Sequence, residues 1–335
     1  MQSFGAALEG VFSAGVNVVT ALSVIVPCHN RSEFIPATIQ SIVRQSLADW
    51  ELILVDDGSE DDTFEILKHS AAGDPRIRAF RRDHEGVGAA RNFGASQCSA
   101  SSKYLFFLDD DDQLEPKALE QMSEYLDKHP EVGLVGCQFH EIGVDGHKIG
   151  AGNRSRWAPS TFGIPRPLRP NEYETPFATF YCATGQGPFA LFRRSVFEKI
   201  GGWTTDFWPH EDTDIFCRMA LLAKVHYLPD RLYRKRAHRS NVMKNTDRVM
   251  RAYDLFRRKW DNFQPRTKEE AATLRDAARF YRASFRPLRH LKVGTKALGE
   301  FVRSGDFGKL RWATTLFGCA IRDAIRYRIR PWAIL

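Results

Sequence analysis

The sequence predicts an α/β protein: a mostly parallel central sheet flanked by helices, followed by a helical, basic C-terminal extension. Three observations lead there. Apolar runs of strand length alternate with segments of helical periodicity through the first 128 residues. One such run, Tyr104 to Leu108, leads directly into four consecutive aspartates, Asp109 to Asp112. Positive charge is concentrated at the end: from Arg251 onward there are 20 Lys+Arg against 8 Asp+Glu, a net of +12, which leaves −5 for the first 250 residues of a chain whose total is +7.

Taken in order, residues 22–27 form the first strand, with a turn at Cys28-His29-Asn30-Arg31. Ile35, Ile39, Ile42 and Val43 mark a helix over 33–47, with Pro36 near its start, where a missing N–H is tolerated. Residues 50–55 are the second strand, ending in Asp56-Asp57-Gly58-Ser59. Ser59 and Asp62 have capping-box spacing for a helix over 61–72. Residues 77–80 are a short strand, 86–97 a small-residue helix with Arg91 and Asn92, and 104–108 the strand before the aspartates. This alternation implies parallel strands joined by right-handed crossovers. Beyond it, 116–128 is a helix and 132–143 a strand entering a turn at Asp145-Gly146. Residues 189–192 are a strand, 195–200 a short helix closed by Gly201-Gly202, 212–223 a helix and 225–228 a strand. Residues 150–170 contain four prolines and no periodicity, which reads as a long loop. From about 247 the pattern is mainly helical. The expected division is an N-terminal extension (1–20), a main domain (21–246, with halves 21–128 and 129–246) and the basic region (247–335).

A chain of 335 residues with 43% hydrophobic content can bury a substantial core. Its six cysteines, at 28, 98, 137, 182, 217 and 319, form no CxxC and no zinc-like spacing. They read as small buried hydrophobes of a reducing, cytoplasmic compartment. Residues 1–20 lack a basic start and contain Glu9, which argues against a signal peptide. No stretch stands out as a spanning helix, and no nucleic-acid-binding motif accompanies the basic charge.

The aspartates are the first candidate site. Ligands of open α/β sheets bind at the carboxyl ends of strands. Asp109 and Asp111 alternate on an extended backbone and face one way, with Asp110 facing the other. Adjacent carboxylates repel one another unless a cation compensates, and hard oxygen donors suit Mg²⁺ or Mn²⁺ held together with substrate phosphates. The alternative is a solvated acidic turn. Asp56 and Asp57 end the neighbouring strand, where a carboxylate accepts from a ribose hydroxyl or a base N–H, or else serves a turn. Gly86 to Gly94, GVGAARNFG, lacks the third glycine of a dinucleotide fingerprint. Its small residues suit close packing on the sheet, and Arg91 suits either a diphosphate or an ion pair to the aspartates. His210-Glu211-Asp212 opens a helix without HExxH spacing, since Asp214 stands where the second histidine belongs. Acids there complement the helix dipole, or one of them is a general base.

Together SVIVPCHN, LVDDGS, GVGAARNFGA, FLDDDD, a Gly-Gly-Trp turn and HEDTD, in that order over residues 21–240, resemble the family 2 glycosyltransferases of the GT-A fold. The resemblance implies inverting transfer of a sugar, without a covalent intermediate, from a nucleotide diphosphate sugar to an acceptor hydroxyl. UDP is the expected nucleotide on family frequency, and Mn²⁺ or Mg²⁺ the expected metal. The acceptor would be a carbohydrate or lipid-linked molecule of polysaccharide or glycolipid synthesis. Pro27, His29 and Glu33 fall where the family holds the nucleobase, and Asp57 matches the acid at base or ribose. Asp109 and Asp111 match the DxD pair, whose later acid usually holds the metal. Asp212 matches the catalytic base, and His238 a histidine that approaches the diphosphate. Position 29 is His where Tyr is frequent. Position 110 is Asp where Ser is usual, leaving the metal register open within 109–112.

Loop 150–170 and Gly185-Gln186-Gly187 suit the acceptor side, and the tryptophans 157, 203 and 208 suit either sugar rings or the core. In the tail, Arg275, Arg279, Arg282, Arg286 and Arg289 form one stripe beside Leu274, Ala278, Tyr281 and Phe285, with Pro287 ending that helix. Trp312, Leu316, Phe317, Ile321 and Ile325 alternate with Arg322, Arg326 and Arg328, which fits a helix peripheral to an anionic membrane or one docked on the core. The rival functions are a non-catalytic nucleotide-sugar or partner-binding domain and a nucleotidyltransferase, although the glycine-rich, lysine-containing loop of the latter is missing.

Overall fold

Strand β1 (Leu22–Cys28), β2 (Trp50–Asp57) and β4 (Tyr104–Phe107) are buried at every position, the pattern of strands covered on both faces. With β3 (Ile77–Arg82) they form a parallel unit in the order β3-β2-β1-β4. Helices α1 (Ile35–Val43), α2 (Thr63–Gly73) and α3 (Val87–Gln97) connect them. The computed structural model describes residues 21–151, 190–209, 211–238 and 301–326, with scattered positions between 248 and 299.

The sheet then changes direction. After β5 (Gln113–Leu114) and α4 (Ala118–Lys128) come β6 (Val132–Ile142), its hairpin partner β7 (Lys148–Ala151), β8 (Ala190–Arg193), α5 (Arg194–Lys199), α6 (Glu211–Leu222) and β9 (Lys224–Arg236). Strand β8 lies antiparallel between β4 and β6, and β6 runs parallel to β9, giving the order β3-β2-β1-β4-β8-β6-β9-β5. Helix α7 (Phe307–Arg326) is part of the tail. No helix among the described residues is long and apolar enough to cross a membrane.

Side-chain alternation divides the core into two layers. Val24, Val26, Leu52, Leu54 and Phe106 pack with the apolar faces of α1, α2 and α4, whereas Ile25, Ile53, Val55, Leu105 and Phe107 pack with α3, α5 and α6. Helix α3 approaches very closely: a Cβ on Gly94 would stand 2.4 Å from Ile25 Cγ2, and one on Gly88 2.4 Å from the Thr204 carbonyl oxygen. The described Cys28, Cys98, Cys137 and Cys217 are all buried.

Several expectations change. Helix α2 starts at Thr63 with Asp62 at its N-cap but no side-chain cap there; the residue before, Asp61, accepts the Thr63 N–H through Oδ1 at 3.0 Å. Ser59 instead accepts the Asn30 N–H at 3.0 Å, fastening the loop after β1. The last strand spans 13 residues rather than 225–228, because Asp230, Arg231 and Arg234 interrupt its apolar pattern while its pairing with β6 resumes at Arg231 after an irregularity beyond Tyr227. Strands β5 and β7 are too short or too polar to have been expected. Residues 152–189, with Trp157 and Gly185-Gln186-Gly187, lie outside the described residues, as do His210 and the arginine stripe at 275–289.

Candidate active site

Leu108 still donates its N–H to the Ile25 carbonyl at 3.0 Å, and there the sheet ends. The next residues form a turn, closed by the Asp112 N–H on the Asp109 carbonyl at 3.2 Å. The turn breaks the expected alternation and fans the four carboxylates out. Asp109 meets Arg91 Nη2 at 2.8 Å. Asp110 accepts the His29 N–H at 3.0 Å and lies 3.4 Å from Arg31 Nε. Asp111 shares that guanidinium at 3.8 Å, and its Oδ2 is 2.8 Å from His238 Nε2. Asp110 and Asp111 therefore share a cation, while Asp109 faces α3. Asp112, 2% exposed, accepts the Arg236 N–H at 2.6 Å and the Tyr233 hydroxyl at 2.7 Å. It belongs to the framework rather than to the open site.

Lost hydration, then the charge of Asp111, pushes Asp110 and Asp112 well above the usual carboxylate range. Lost hydration also raises Asp109 against the pull of Arg91, and Asp111 adds to the rise. This is a surplus of negative charge that a cation relieves. Among the described residues no ready-made group of three side-chain ligands exists. Asp111 and His238 form a donor pair, while Asp109, with a third of its side chain exposed, is held by Arg91, so a divalent ion at this turn would take most of its shell from phosphate oxygens and water.

Beside the acidic turn, Pro27 lies in β1, paired with Val55, and Glu33 is exposed in the turn before α1. His29 and His84 each bring Nδ1 to 2.9 Å from the Asp57 carbonyl oxygen, and their rings stack with centroids 4.2 Å apart. Asp57 is 3% exposed; its two carboxylate oxygens accept the N–H groups of Glu85 at 3.0 Å and Gly86 at 2.9 Å. Asp57 thus ties the loop before α3 to the end of β2, and the accessible polar surface next to it is the histidine pair. Sequence reasoning passed over His84; its only signal was a place immediately before the GVGAARN segment.

Arg91 is 3% exposed. Besides Asp109 it meets Glu211 Oε1, through Nη1 at 3.0 Å, and its guanidinium lies 4.3 Å from the Trp203 ring centre. Of the two roles expected for Arg91, the ion pair is the one observed. Trp203 itself is core, packed on Phe107 and Phe192. Asn92 secures the Gly-Gly-Trp turn, accepting the Trp203 N–H at 2.8 Å and donating to its carbonyl at 2.9 Å. Burial, opposed by Arg91, pushes the Glu211 carboxyl up to about 7. Asp214, fully buried, pairs with Arg218 at 2.8 Å and Lys259 at 3.0 Å. Of the three acids at the start of α6, two are thus committed to structure, and Asp212 is half-buried between them in sequence.

The chain resembles known glycosyltransferases in sequence and in fold. A 25% identical match over 242 residues, 70% of this chain and 76% of the relative, is an uncharacterized glycosyltransferase of Haemophilus influenzae. Shorter matches are 34% identical to the uncharacterized glycosyltransferase EpsJ of Bacillus subtilis and 33% identical to a chondroitin synthase of Escherichia coli. They cover 38% and 43% of this chain, but only 36% and 21% of the relatives' own lengths. Among solved structures, S. aureus TarS 1-349 in complex with UDP-GlcNAc aligns with a TM-score of 0.61 at 16% identity, over 91% of this chain and 81% of that one. The mannosyltransferase PcManGT from Pyrobaculum calidifontis, in complex with GDP-Man and Mn²⁺, aligns with a TM-score of 0.59 at 17% identity, over 97% and 91%. These likenesses establish the GT-A fold. The model of glycosyl transferase family 2 matches residues 23–201, more than half of the sequence, and the chain belongs to that family.

Proposed function

We propose that this protein transfers a sugar, with inversion, from a nucleoside diphosphate sugar to an acceptor hydroxyl. The observation that supports the reading most is the meeting of three separate segments at the carboxyl end of β4: the acidic turn 109–111, His238 after β9, and the first turn of α6, whose Glu211 is joined to the turn through Arg91 and is followed by Asp212. The donor's base and ribose lie over the loop after β1 and the His29–His84 pair, with Pro27, Glu33 and Asp57 shaping that side. Asp109, Asp111 and His238 are the residues that would hold Mn²⁺ or Mg²⁺ together with the diphosphate. Such an ion, when bound, offsets the charge that builds on the leaving diphosphate. Asp212 takes the proton from the acceptor hydroxyl as it attacks the anomeric carbon from the side opposite the leaving group, so one displacement inverts the centre.

UDP is the proposed nucleotide, in keeping with the UDP-GlcNAc complex of TarS, while the GDP-Man complex of PcManGT makes GDP the comparison to run. The synthase relatives favour a carbohydrate or lipid-linked acceptor in polysaccharide or glycolipid synthesis. The basic tail, in which α7 carries Lys309, Arg311, Arg322 and Arg326, suits peripheral contact with an anionic membrane.

The test is a thermal-shift titration with UDP, GDP and dTDP, each with and without Mn²⁺, followed by turnover of the matching sugar nucleotide in Asp212→Asn. Selective binding raises apparent stability by about 2.7 kcal/mol at a hundredfold excess over the dissociation constant. A metal-dependent shift with one nucleotide, and turnover lost in the variant, is the expected outcome. No shift with any nucleotide would return the reading to a partner-binding domain.

A further inference from the structure

Arg91 touches three separate parts of the chain from one buried position: Asp109 on the turn after β4, Glu211 at the first residue of α6, and Trp203 on the turn that precedes α6. The glycines of α3 allow this, since the contacts at Gly88 and Gly94 bring the helix against the sheet and the 204 backbone. Its Nη1 and Nη2 are both engaged, and its Nε is buried without a hydrogen-bond partner, as is Glu211 Oε2. A planar guanidinium gripping two carboxylates fixes both their separation and their relative direction, which a lysine ammonium cannot do. At 3% exposure the side chain is too enclosed to act as a primary contact for the donor.

We infer that Arg91 is a positioning residue: it locks the donor-side acid Asp109 to the first turn of α6, and thereby sets where Asp212 stands relative to the diphosphate. The inference rests on the roles proposed for Asp109 and Asp212. Glu211 is then the second anchor of Arg91, and what Arg91 needs from it is an acceptor oxygen at the Oε1 position. That requirement separates two substitutions at one site. Glu211→Gln keeps the oxygen, and Glu211→Ala removes it.

The experiment compares Arg91→Lys, Glu211→Ala, Glu211→Gln and Asp212→Asn in the full chain. Hydrogen exchange of the ligand-free proteins is followed over residues 211–222. Hydrolysis of UDP-GlcNAc and GDP-mannose with Mn²⁺ is measured alongside. Arg91→Lys and Glu211→Ala are expected to speed exchange in the first turn of α6 about tenfold while β1 and β2 stay as in the parent. They are also expected to lower kcat about a hundredfold with KM within a factor of three, the scale set by a misplacement of about 1 Å. Glu211→Gln is expected to restore both readouts to within a factor of five. Wild-type exchange and kcat in Arg91→Lys would overturn the inference. So would a Glu211→Gln as impaired as Glu211→Ala, because Glu211 would then act as a proton acceptor itself. Wild-type turnover in Asp212→Asn would instead refute the base assignment, and the exchange measurements would still decide the role of Arg91.

Discussion

His238 and Asp111 are 127 residues apart in sequence, yet Nε2 of one lies 2.8 Å from Oδ2 of the other. The contact follows from how β9 ends. Arg236, its last residue, donates its N–H to Asp112 at 2.6 Å and its Nε–H to the Asp111 carbonyl at 2.7 Å. Its Nη1 reaches the carbonyl oxygens of Gly143 and Val144 at 2.9 and 2.7 Å. The end of the strand is thus tied to the acidic turn, and two residues later the imidazole arrives at its carboxylate. If His238 completes the ion-holding set, His238→Ala weakens Mn²⁺-dependent UDP binding about 10- to 100-fold, the usual penalty for losing a partner in a metal site. Titration calorimetry measures it, with the melting temperature as the control for folding. Unchanged affinity would remove His238 from the set.

The aspartate run separates into framework and site. Asp112→Ala leaves the Tyr233 hydroxyl and the Arg236 N–H without their acceptor inside the core. It is expected to cost about 3 kcal/mol in chemical denaturation. Asp111→Ala removes a carboxylate from a crowded negative cluster, and its unfolding midpoint is expected to stay at or above that of the parent. Equal destabilisation by both would contradict this division.

Much of the architecture was readable before the structure because its signals are local. Continuous apolar runs such as Leu22 to Pro27 and Tyr104 to Phe107 permit little besides buried strands, and these proved parallel as expected. The acidic site was readable as a location but not as a geometry. The directions of the four carboxylates depend on Arg31, Arg91, Tyr233 and His238, drawn from places up to 127 residues away. The same holds for Asp57: its strand-end position was plain, but the amides of Glu85 and Gly86 that occupy its oxygens belong to a loop nearly 30 residues on. Strand β9 was cut short because its charged residues conceal a strand that resumes pairing with β6 at Arg231, after an irregularity beyond Tyr227, and continues to Arg236.

Two helix glycines, Gly94 in α3 and Gly73 in α2, carry predictions of opposite sign. At Gly94 a new Cβ would stand 2.4 Å from Ile25 Cγ2 and 3.2 Å from Val55 Cγ2, both methyls of stiff, β-branched side chains. Gly94→Ala is therefore expected to destabilise by about 1–3 kcal/mol through overpacking. At Gly73, exposed at the end of α2, nothing lies within 4 Å of a new Cβ. Gly73→Ala is expected to stabilise by about 0.5–1 kcal/mol, chiefly by restricting the unfolded chain. Equilibrium denaturation of the two variants checks the contrast, and a neutral Gly94→Ala would mean that α3 can move away from the sheet.

Glu211 links the site to pH. Burial raises its carboxyl from 4.5 to about 7 despite Arg91, so the folded protein holds that proton more tightly than the unfolded chain does. For a group raised in this way the stabilising contribution is complete below about pH 4.5 and is lost as pH rises through about 7. The loss is on the order of 3 kcal/mol for a shift of this size. Glu211→Gln keeps an acceptor for Arg91 and has no proton to lose, so its stability relative to the parent should increase between pH 5 and pH 8. Thermal unfolding of both proteins across that interval measures the difference. Parallel curves would mean that Glu211 titrates alike in the folded and unfolded chains, and that the Arg91 ion pair fully compensates its burial.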